Sequence, residues 1–75
     1  MTVEIGQRYR HFKGGEYEII ALAKDCESLE DVVVYRSLYS SGNFKIGQIW
    51  TRSLEDFVRF KKVGGKKVKR FELVG

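Results

Sequence analysis

The chain has 75 residues, a formal net charge of +4, 43% hydrophobic residues and 32% charged residues. This length fits one small domain, and the composition is that of a folded globular chain rather than a disordered one. No apolar run approaches the roughly 20 residues that cross a bilayer, and the N-terminus lacks the apolar core of a signal peptide, so we expect one cytoplasmic domain over residues 1–75 with no membrane partner.

The first half of the chain has the period-two alternation of short strands. Residues 6–13 predict a first strand, Gly14 and Gly15 a two-residue turn, and residues 16–24 a second strand. Residues 25–31 form an acidic connection, and the β-branched residues 32–39 predict a third strand.

The second half predicts one short strand, a helical turn and a closing strand. Residues 48–52 form the fourth strand, and Ser53 is positioned to cap a helical turn with Asp56 three residues on. Gly64 and Gly65 break the chain before a closing strand over residues 66–74. We therefore predict a mainly β fold, a small SH3-like β-barrel of four to five short strands with one short helical turn. A three-stranded sheet with a helix across it is the alternative.

A two-residue turn at Gly14 and Gly15 also predicts the register of the first hairpin. Counting outward places His11 opposite Glu18, whose carboxylate would favour the protonated imidazole and raise the pKa of His11. Cys26 lies roughly 25 Å from His11 along an extended chain, so the two do not form a catalytic dyad.

Counting residue types excludes several kinds of chemistry. One histidine and one cysteine cannot supply a typical zinc site, and the acidic connection lacks the spacing of a calcium loop. The glycine pairs do not match a phosphate-binding loop. We therefore expect no metal, no cofactor and no catalytic residue, and a binding module is favoured over an enzyme.

Aromatic and cationic residues suggest a ligand-binding face. We expect the valines, Ile19, Ile20, Leu22 and Phe57 in the core, with Trp50 beside Tyr35 and Arg52 as an aromatic wall. Alternatively, Trp50 is the central core ring and Arg52 covers it. The candidate ligand-binding residues are Tyr9, Arg10, His11, Tyr35, Trp50 and Arg52.

The positive charge is concentrated near the C-terminus. Residues 1–58 hold seven basic and nine acidic residues, a balance of −2, whereas residues 59–75 hold seven basic residues and Glu72, a balance of +6. Such a segment attracts polyanions, although it is also typical of a solvated hairpin rim. The candidate anion-binding or nucleic-acid-binding residues are Arg59, Lys61, Lys62, Lys66, Lys67, Lys69 and Arg70.

In chain order the sequence contains residues 9–14 (YRHFKG), Tyr17, an acidic turn at residues 27–30, residues 33–35 (VVY), Leu38 with Tyr39, residues 50–52 (WTR) and Phe57. Taken in that order, these segments resemble a family of small bacterial proteins known only as a domain of unknown function. The resemblance covers most of residues 6–60 and implies an SH3-like β-barrel, but no activity. Phe12 replaces a tyrosine of the family pattern, and Ser53 replaces a proline.

Three functions remain open from the sequence. The first is a non-enzymatic binding module that contacts nucleic acid through the basic tail and the aromatic face. The second is an adaptor that binds a protein or peptide in an aromatic groove. The third is a sensor or enzyme that uses His11 with Arg10 or Arg52 around an anionic metabolite.

Overall fold

The computed structural model describes residues 3–74, which contain seven strands and one short helix. In chain order these are β1 (Arg8–His11), β2 (Glu16–Lys24), β3 (Asp31–Ser37), β4 (Ile49–Ser53), α1 (Leu54–Val58), β5 (Phe60–Val63), β6 (Lys66–Lys69) and β7 (Phe71–Val74). The mainly β prediction is confirmed.

Five of the strands form one antiparallel sheet in the order β4-β3-β2-β1-β7, and β5 pairs with β6 in a separate hairpin. The large sheet is strongly curled. Tyr35 on β3 and Phe71 on β7 belong to strands separated by two others, yet their ring centroids are 5.6 Å apart. Within the described chain, no pairing between β4 and β7 closes this sheet into a complete barrel.

The predicted register of the first hairpin is wrong. Tyr9 pairs with Tyr17, and Arg8 rather than His11 stands opposite Glu18. The loop has three residues instead of two, because the His11 N–H donates to the Gly15 carbonyl at 2.8 Å and Gly14 alone of the glycine pair has a positive φ, of 110°. Three-residue hairpin loops place a glycine at this position.

The closing segment divides into two strands rather than one. β6 pairs with β5 across the Gly64–Gly65 turn, and β7 leaves that hairpin to pair with β1, where Phe71 stands opposite His11. Gly64 and Gly65 have φ values of 58° and 81°, the left-handed geometry of a tight hairpin turn. This division, together with the unpredicted strand β5, raises the strand count to seven.

Helix α1 closes the concave face of the curled sheet. Ser53 caps it as predicted, since its Oγ accepts a hydrogen bond from the Asp56 N–H at 3.2 Å. Phe57 points inward, stacks on Phe71 at a centroid distance of 4.1 Å and meets Tyr9 edge to face. The remaining buried core residues are Val3, Ile19, Val33 and Tyr35.

The predicted core is only partly correct. Ile19, Val33 and Phe57 are buried, whereas Ile20 is half-buried and the Leu22 side chain is 50% exposed. An irregularity in the pairing with β3 between Ile19 and Ala21 changes the alternation of β2 at this point. Strand bulges of this kind bend the strand, and the end of β2 therefore leaves the core.

Helix α1, the one helix in residues 3–74, is too short and not apolar enough to span a membrane.

Candidate functional site

The ring of Phe71 lies at the centre of a group of aromatic and cationic side chains, which we call the Phe71 cluster. The imidazole of His11 meets Phe71 edge to face at 5.0 Å, and the guanidinium carbon of Arg52 lies 5.7 Å from its ring centroid. The Arg52 Nε also donates a 3.4 Å hydrogen bond to the Tyr35 hydroxyl. The other rings around Phe71 are Tyr17, Tyr35 and Phe57.

Strand pairing explains why these residues meet. His11 shares the concave face of β1 with Tyr9, and its cross-strand partner on β7 is Phe71. Directly opposed residues in antiparallel strands point to the same face, so Trp50 and Arg52 on β4 share the face of Tyr35 and Val33. Helix α1 covers one part of this face and leaves His11 and Arg52 half-buried beside it.

His11 lies in a cationic rather than an acidic environment. Its pKa is lowered first by burial and then by the positive charges of Arg52, Arg70 and Lys13. Glu18 does not have the predicted influence, because the register places it opposite Arg8 and not opposite His11, and its carboxylate forms an ion pair with Arg36 at 2.5 Å. The Lys13 N–H donates to His11 Nδ1 at 3.1 Å, so the neutral imidazole carries its proton on Nε2.

Arg52 and Arg70 bring charge into this region without a counterion. Neither has a carboxylate within 4.0 Å among residues 3–74, although both are half-buried. The Nε of Arg70 and the Nε1 of Trp50 are buried, and neither has a hydrogen-bond partner in that part of the chain. Buried donors without acceptors are uncommon in proteins, so each of these two atoms separately indicates a place where an acceptor could bind.

A second row of rings extends from the cluster along the sheet. Tyr17 and Tyr39 hydroxyls are 2.7 Å apart, and the rings continue from Tyr39 to Phe44 and from Phe44 to Trp50, with centroid distances of 5.2 Å at both steps. Burial and the hydrogen bond to Tyr39 raise the pKa of Tyr17, so its hydroxyl stays protonated. One of the two hydroxyl hydrogens forms the shared bond, and the other is free to donate.

An open groove lies on the other side of His11, and we call it the lysine groove. Its volume is about 560 Å³, and it separates the end of β1 and its turn from the β5–β6 hairpin. The lysines and Arg10 provide positive charge, and Glu72 provides one negative charge. The lining residues are Arg10, His11, Phe12, Gly14, Phe60, Val63, Lys67, Val68, Lys69 and Glu72.

The seven basic residues of the C-terminal segment lie in three different places in the fold. Its five lysines lie exposed on the β5–β6 hairpin. Arg59 forms ion pairs with Glu55 and Asp56 on α1, at 2.5 Å and 3.7 Å. Arg70 follows the hairpin, where its carbonyl accepts a hydrogen bond from the Phe12 N–H and its charge acts on His11.

The six residues proposed as a ligand face are also divided by the fold. The rings of Tyr9 and Tyr35 are buried in the core, and Arg10 is exposed and paired with Glu16 at 3.1 Å. His11 and Arg52 do come together, at the Phe71 cluster. Trp50 is half-buried against the core, between the two alternatives that the sequence left open.

Sequence reasoning missed the residues that complete the cluster. Phe71 lies in the predicted closing strand, and the predicted register, which places His11 opposite Glu18, also places Tyr17 opposite Phe12 and not opposite Tyr9. Gly14 was the signal in the sequence that could have indicated a three-residue loop, and that loop places Tyr17 opposite Tyr9. No local signal indicated that Arg70 approaches His11.

The acidic connection shows no sign of a metal site. The carboxylate of Asp25 accepts hydrogen bonds from the N–H groups of Glu27 and Ser28, and these bonds lower its pKa. No group of three or more histidine, cysteine or acidic residues in residues 3–74 could hold a metal ion. Cys26 is exposed in this connection.

The fold and the site together define a small mainly β domain with a curled sheet, an aromatic and cationic cluster and a basic hairpin. A family model described as "Protein of unknown function (DUF1653)" matches residues 7–73, so the chain belongs to the DUF1653 family. This finding confirms the family resemblance inferred from the sequence motifs.

A solved structure is similar to this chain. It is the crystal structure of a DUF1653 protein from Bordetella bronchiseptica, with 34% sequence identity and a TM-score of 0.79. The alignment covers 97% of this chain and 88% of that chain. No protein with a curated description matches this chain.

Proposed function

We propose that this domain is a non-enzymatic binding module that binds single-stranded nucleic acid in the lysine groove. The observation that supports the proposal most directly is the composition of that groove, in which Lys67, Lys69 and Arg10 line the same space as Phe12 and Phe60. Proteins that bind single strands without strong sequence preference combine positive charge for the phosphates with exposed rings for the bases.

The groove offers both kinds of contact in accessible form. The Phe60 side chain is 52% exposed, which leaves a ring face free for a base, and the lysines of β6 are exposed. Each stacked base is worth about 1–3 kcal/mol in such proteins. A duplex hides its base faces, so this arrangement favours a single strand.

Lys67 and Lys69 would each neutralise a phosphate, and Arg10 would do so by exchanging its exposed ion pair with Glu16 for a phosphate. Binding of a single strand loses affinity with a log–log slope of about −0.7 per phosphate contact, so three contacts predict a slope near −2. The test is fluorescence anisotropy of a short mixed-sequence RNA with a 5′-hydroxyl end, titrated at several salt concentrations.

Variants identify the surface that binds. Lys67→Gln combined with Lys69→Gln should reduce the slope to about −0.7 and weaken binding. Lys45→Gln is the matched control, because Lys45 is an exposed lysine in the loop before β4. An equal loss in the Lys45 variant would mean that the charge acts generically. A peptide ligand with salt-insensitive binding would replace this proposal with the adaptor hypothesis.

A further inference from the structure

We infer that His11, Arg52 and Arg70 form a binding site for a phosphate monoester group at the edge of the lysine groove, which His11 also lines. Arg52 and His11 contact the same Phe71 ring. Arg70 directly precedes Phe71, which stands opposite His11, and the Arg70 carbonyl accepts a hydrogen bond from the Phe12 N–H at 3.0 Å. The charges of both arginines therefore act on the imidazole. The site is half-buried at the uncovered end of the concave face, whereas the lysine groove is open.

The first step of the argument is the balance of charge. The acidic side chains that form ion pairs in residues 3–74 do so with Arg10, Lys24, Arg36 and Arg59, and none pairs with Arg52 or Arg70. Two half-buried guanidiniums without a carboxylate are costly unless an anion joins them. A phosphate monoester carries a charge of about −1.5 to −2 at neutral pH, which matches two guanidiniums better than the single charge of a carboxylate.

The second step is the set of hydrogen-bond donors. The Arg70 Nε is buried without a partner in the described residues, and the neutral His11 carries its free N–H on Nε2. Arg52 donates from its Nε to the Tyr35 hydroxyl, which leaves its two terminal nitrogens to donate to a ligand. A phosphate monoester has three terminal oxygens that accept such bonds.

The third step is the sign of the charges that act on the imidazole. The groups that act on His11 are Arg52, Arg70 and Lys13, and all are cationic. Bound phosphate would reverse this environment and favour the protonated imidazole. The site therefore reports its own occupancy through the titration of His11.

Two sources could present this group, a free metabolite such as a mononucleotide or the 5′-phosphate end of a nucleic-acid strand. Only the strand-end source rests on the proposed function. The phosphate chemistry is the same in both cases.

The test is an NMR titration of the labelled protein with adenosine monophosphate, with adenosine and acetate as comparison ligands. We expect the monophosphate to shift the His11 ring signals and to raise the pKa of His11, while adenosine does neither. Acetate that binds as tightly as the monophosphate would overturn the inference, as would a monophosphate that leaves His11 unchanged.

Variants assign the effect to the arginines. Arg52→Gln and Arg70→Gln should each weaken monophosphate binding by roughly tenfold or more, since hydrogen bonds to charged groups contribute about 1.5–3 kcal/mol. Arg8→Gln is the matched control, because Arg8 is exposed and points to the opposite face of β1 from His11. An equal loss in the Arg8 variant would contradict the site, and the wild-type titration decides the question if an arginine variant fails to fold.

A final comparison separates the two sources. If the 5′-phosphorylated RNA binds more tightly than the 5′-hydroxyl RNA, the monoester belongs to a strand end, and the inference is supported. If the two strands bind equally while the monophosphate still binds at His11, a free metabolite is the ligand, and the inference is again supported. If neither RNA strand binds while the monophosphate still binds at His11, the result contradicts the proposed function but not this inference.

Discussion

Phe71 contacts side chains from β1, β2, β3, β4 and α1, and it therefore couples the core to the candidate site. Its stacked contact with Phe57 belongs to the core, whereas its contacts with His11 and Arg52 belong to the exposed end of the concave face. Aromatic contacts of this kind are each worth about 0.5–1.5 kcal/mol beyond the burial of apolar area. The positions of His11 and Arg52 thus depend on the packing of one ring.

The pKa of His11 shows whether the charges around its imidazole are cationic, as in the structure, or acidic, as the sequence suggested. Burial and the nearby Arg52, Arg70 and Lys13 lower its pKa below the ordinary value of about 6.5. The unfolded chain therefore binds a proton on this imidazole more readily than the folded chain does. The contribution of His11 to the free energy of unfolding is fully present above about pH 6.5 and is lost as the pH falls from there to the folded pKa. Arg52→Gln should raise the pKa of His11, as measured by NMR of its ring protons. A wild-type pKa above 6.5 would support the acidic neighbour that the sequence suggested.

Gly15 is the second informative residue. A Cβ at this position would collide with the ring of Tyr39, whereas a Cβ at Gly42 would have no heavy atom within 4 Å. We expect Gly15→Ala to displace Tyr39, break its hydrogen bond to Tyr17 and lower the free energy of unfolding by about 1–3 kcal/mol. Gly42→Ala is the control, and urea unfolding of both variants measures the difference. Equal stability of the two variants would contradict this role for Gly15.

At the scale of elements, the two hairpins show how much turn chemistry can be predicted. The Gly64–Gly65 pair was predicted to break the chain before the closing strand, and in the structure it forms a two-residue hairpin loop in which both glycines adopt positive φ. The Gly14–Gly15 pair looks the same in the sequence, but backbone bonds from the His11 N–H to Gly15 and from the Gly14 N–H to His11 select a longer loop. A glycine pair alone does not determine which of these turns forms.

The β5–β6 hairpin places like charges opposite each other. Lys62 stands directly across from Lys67, an arrangement that destabilises a strand pair. Lys67→Glu should therefore raise the free energy of unfolding by about 0.2–1 kcal/mol and at the same time weaken RNA binding. Urea unfolding and anisotropy measure the two effects.

Lys61→Glu provides the matched control for that variant, because Lys61 stands opposite Val68 and not opposite a lysine. It should change the stability less than Lys67→Glu does. A hairpin that is stabilised equally by both substitutions would mean that general repulsion, and not the Lys62–Lys67 pair, determines the effect.

At the scale of the whole molecule, the curled sheet encloses a small core around Phe57. A domain of this length has a free energy of unfolding of about 4–11 kcal/mol, taking roughly 0.05–0.15 kcal/mol per residue. Phe57 is 1% exposed and meets Tyr9, Tyr35 and Phe71. One ring on a single helical turn therefore supports much of the fold.

Removal of the Phe57 ring should lower the free energy of unfolding by a large fraction of its total. We expect Phe57→Ala to cost about 3–5 kcal/mol, because it leaves a cavity between α1 and the sheet. Phe60→Ala is the matched control, since Phe60 is 52% exposed on the hairpin and should change stability little while it weakens RNA binding. Thermal unfolding followed by near-ultraviolet circular dichroism measures both. A similar loss in the two variants would contradict the central role of Phe57.

The sequence by itself determined the features that depend on neighbouring residues. The Ser53 cap, the helical turn that follows it, the bounds of β2 and the Gly64–Gly65 turn were all predictable, because each arises from contacts within a few positions along the chain. The mainly β class followed from the period-two pattern.

Only the tertiary structure decided which distant residues share a face. A shift of three positions in the first hairpin separated His11 from Glu18, and the departure of β7 from the basic hairpin brought Phe71 opposite His11 and Arg70 within range of its charge. Strand register and strand partners are selected by burial and hydrogen bonding across the whole sheet. Local sequence patterns do not contain that information. The half-buried cationic site, in which His11 and Arg52 both contact Phe71, therefore became visible only in the folded chain.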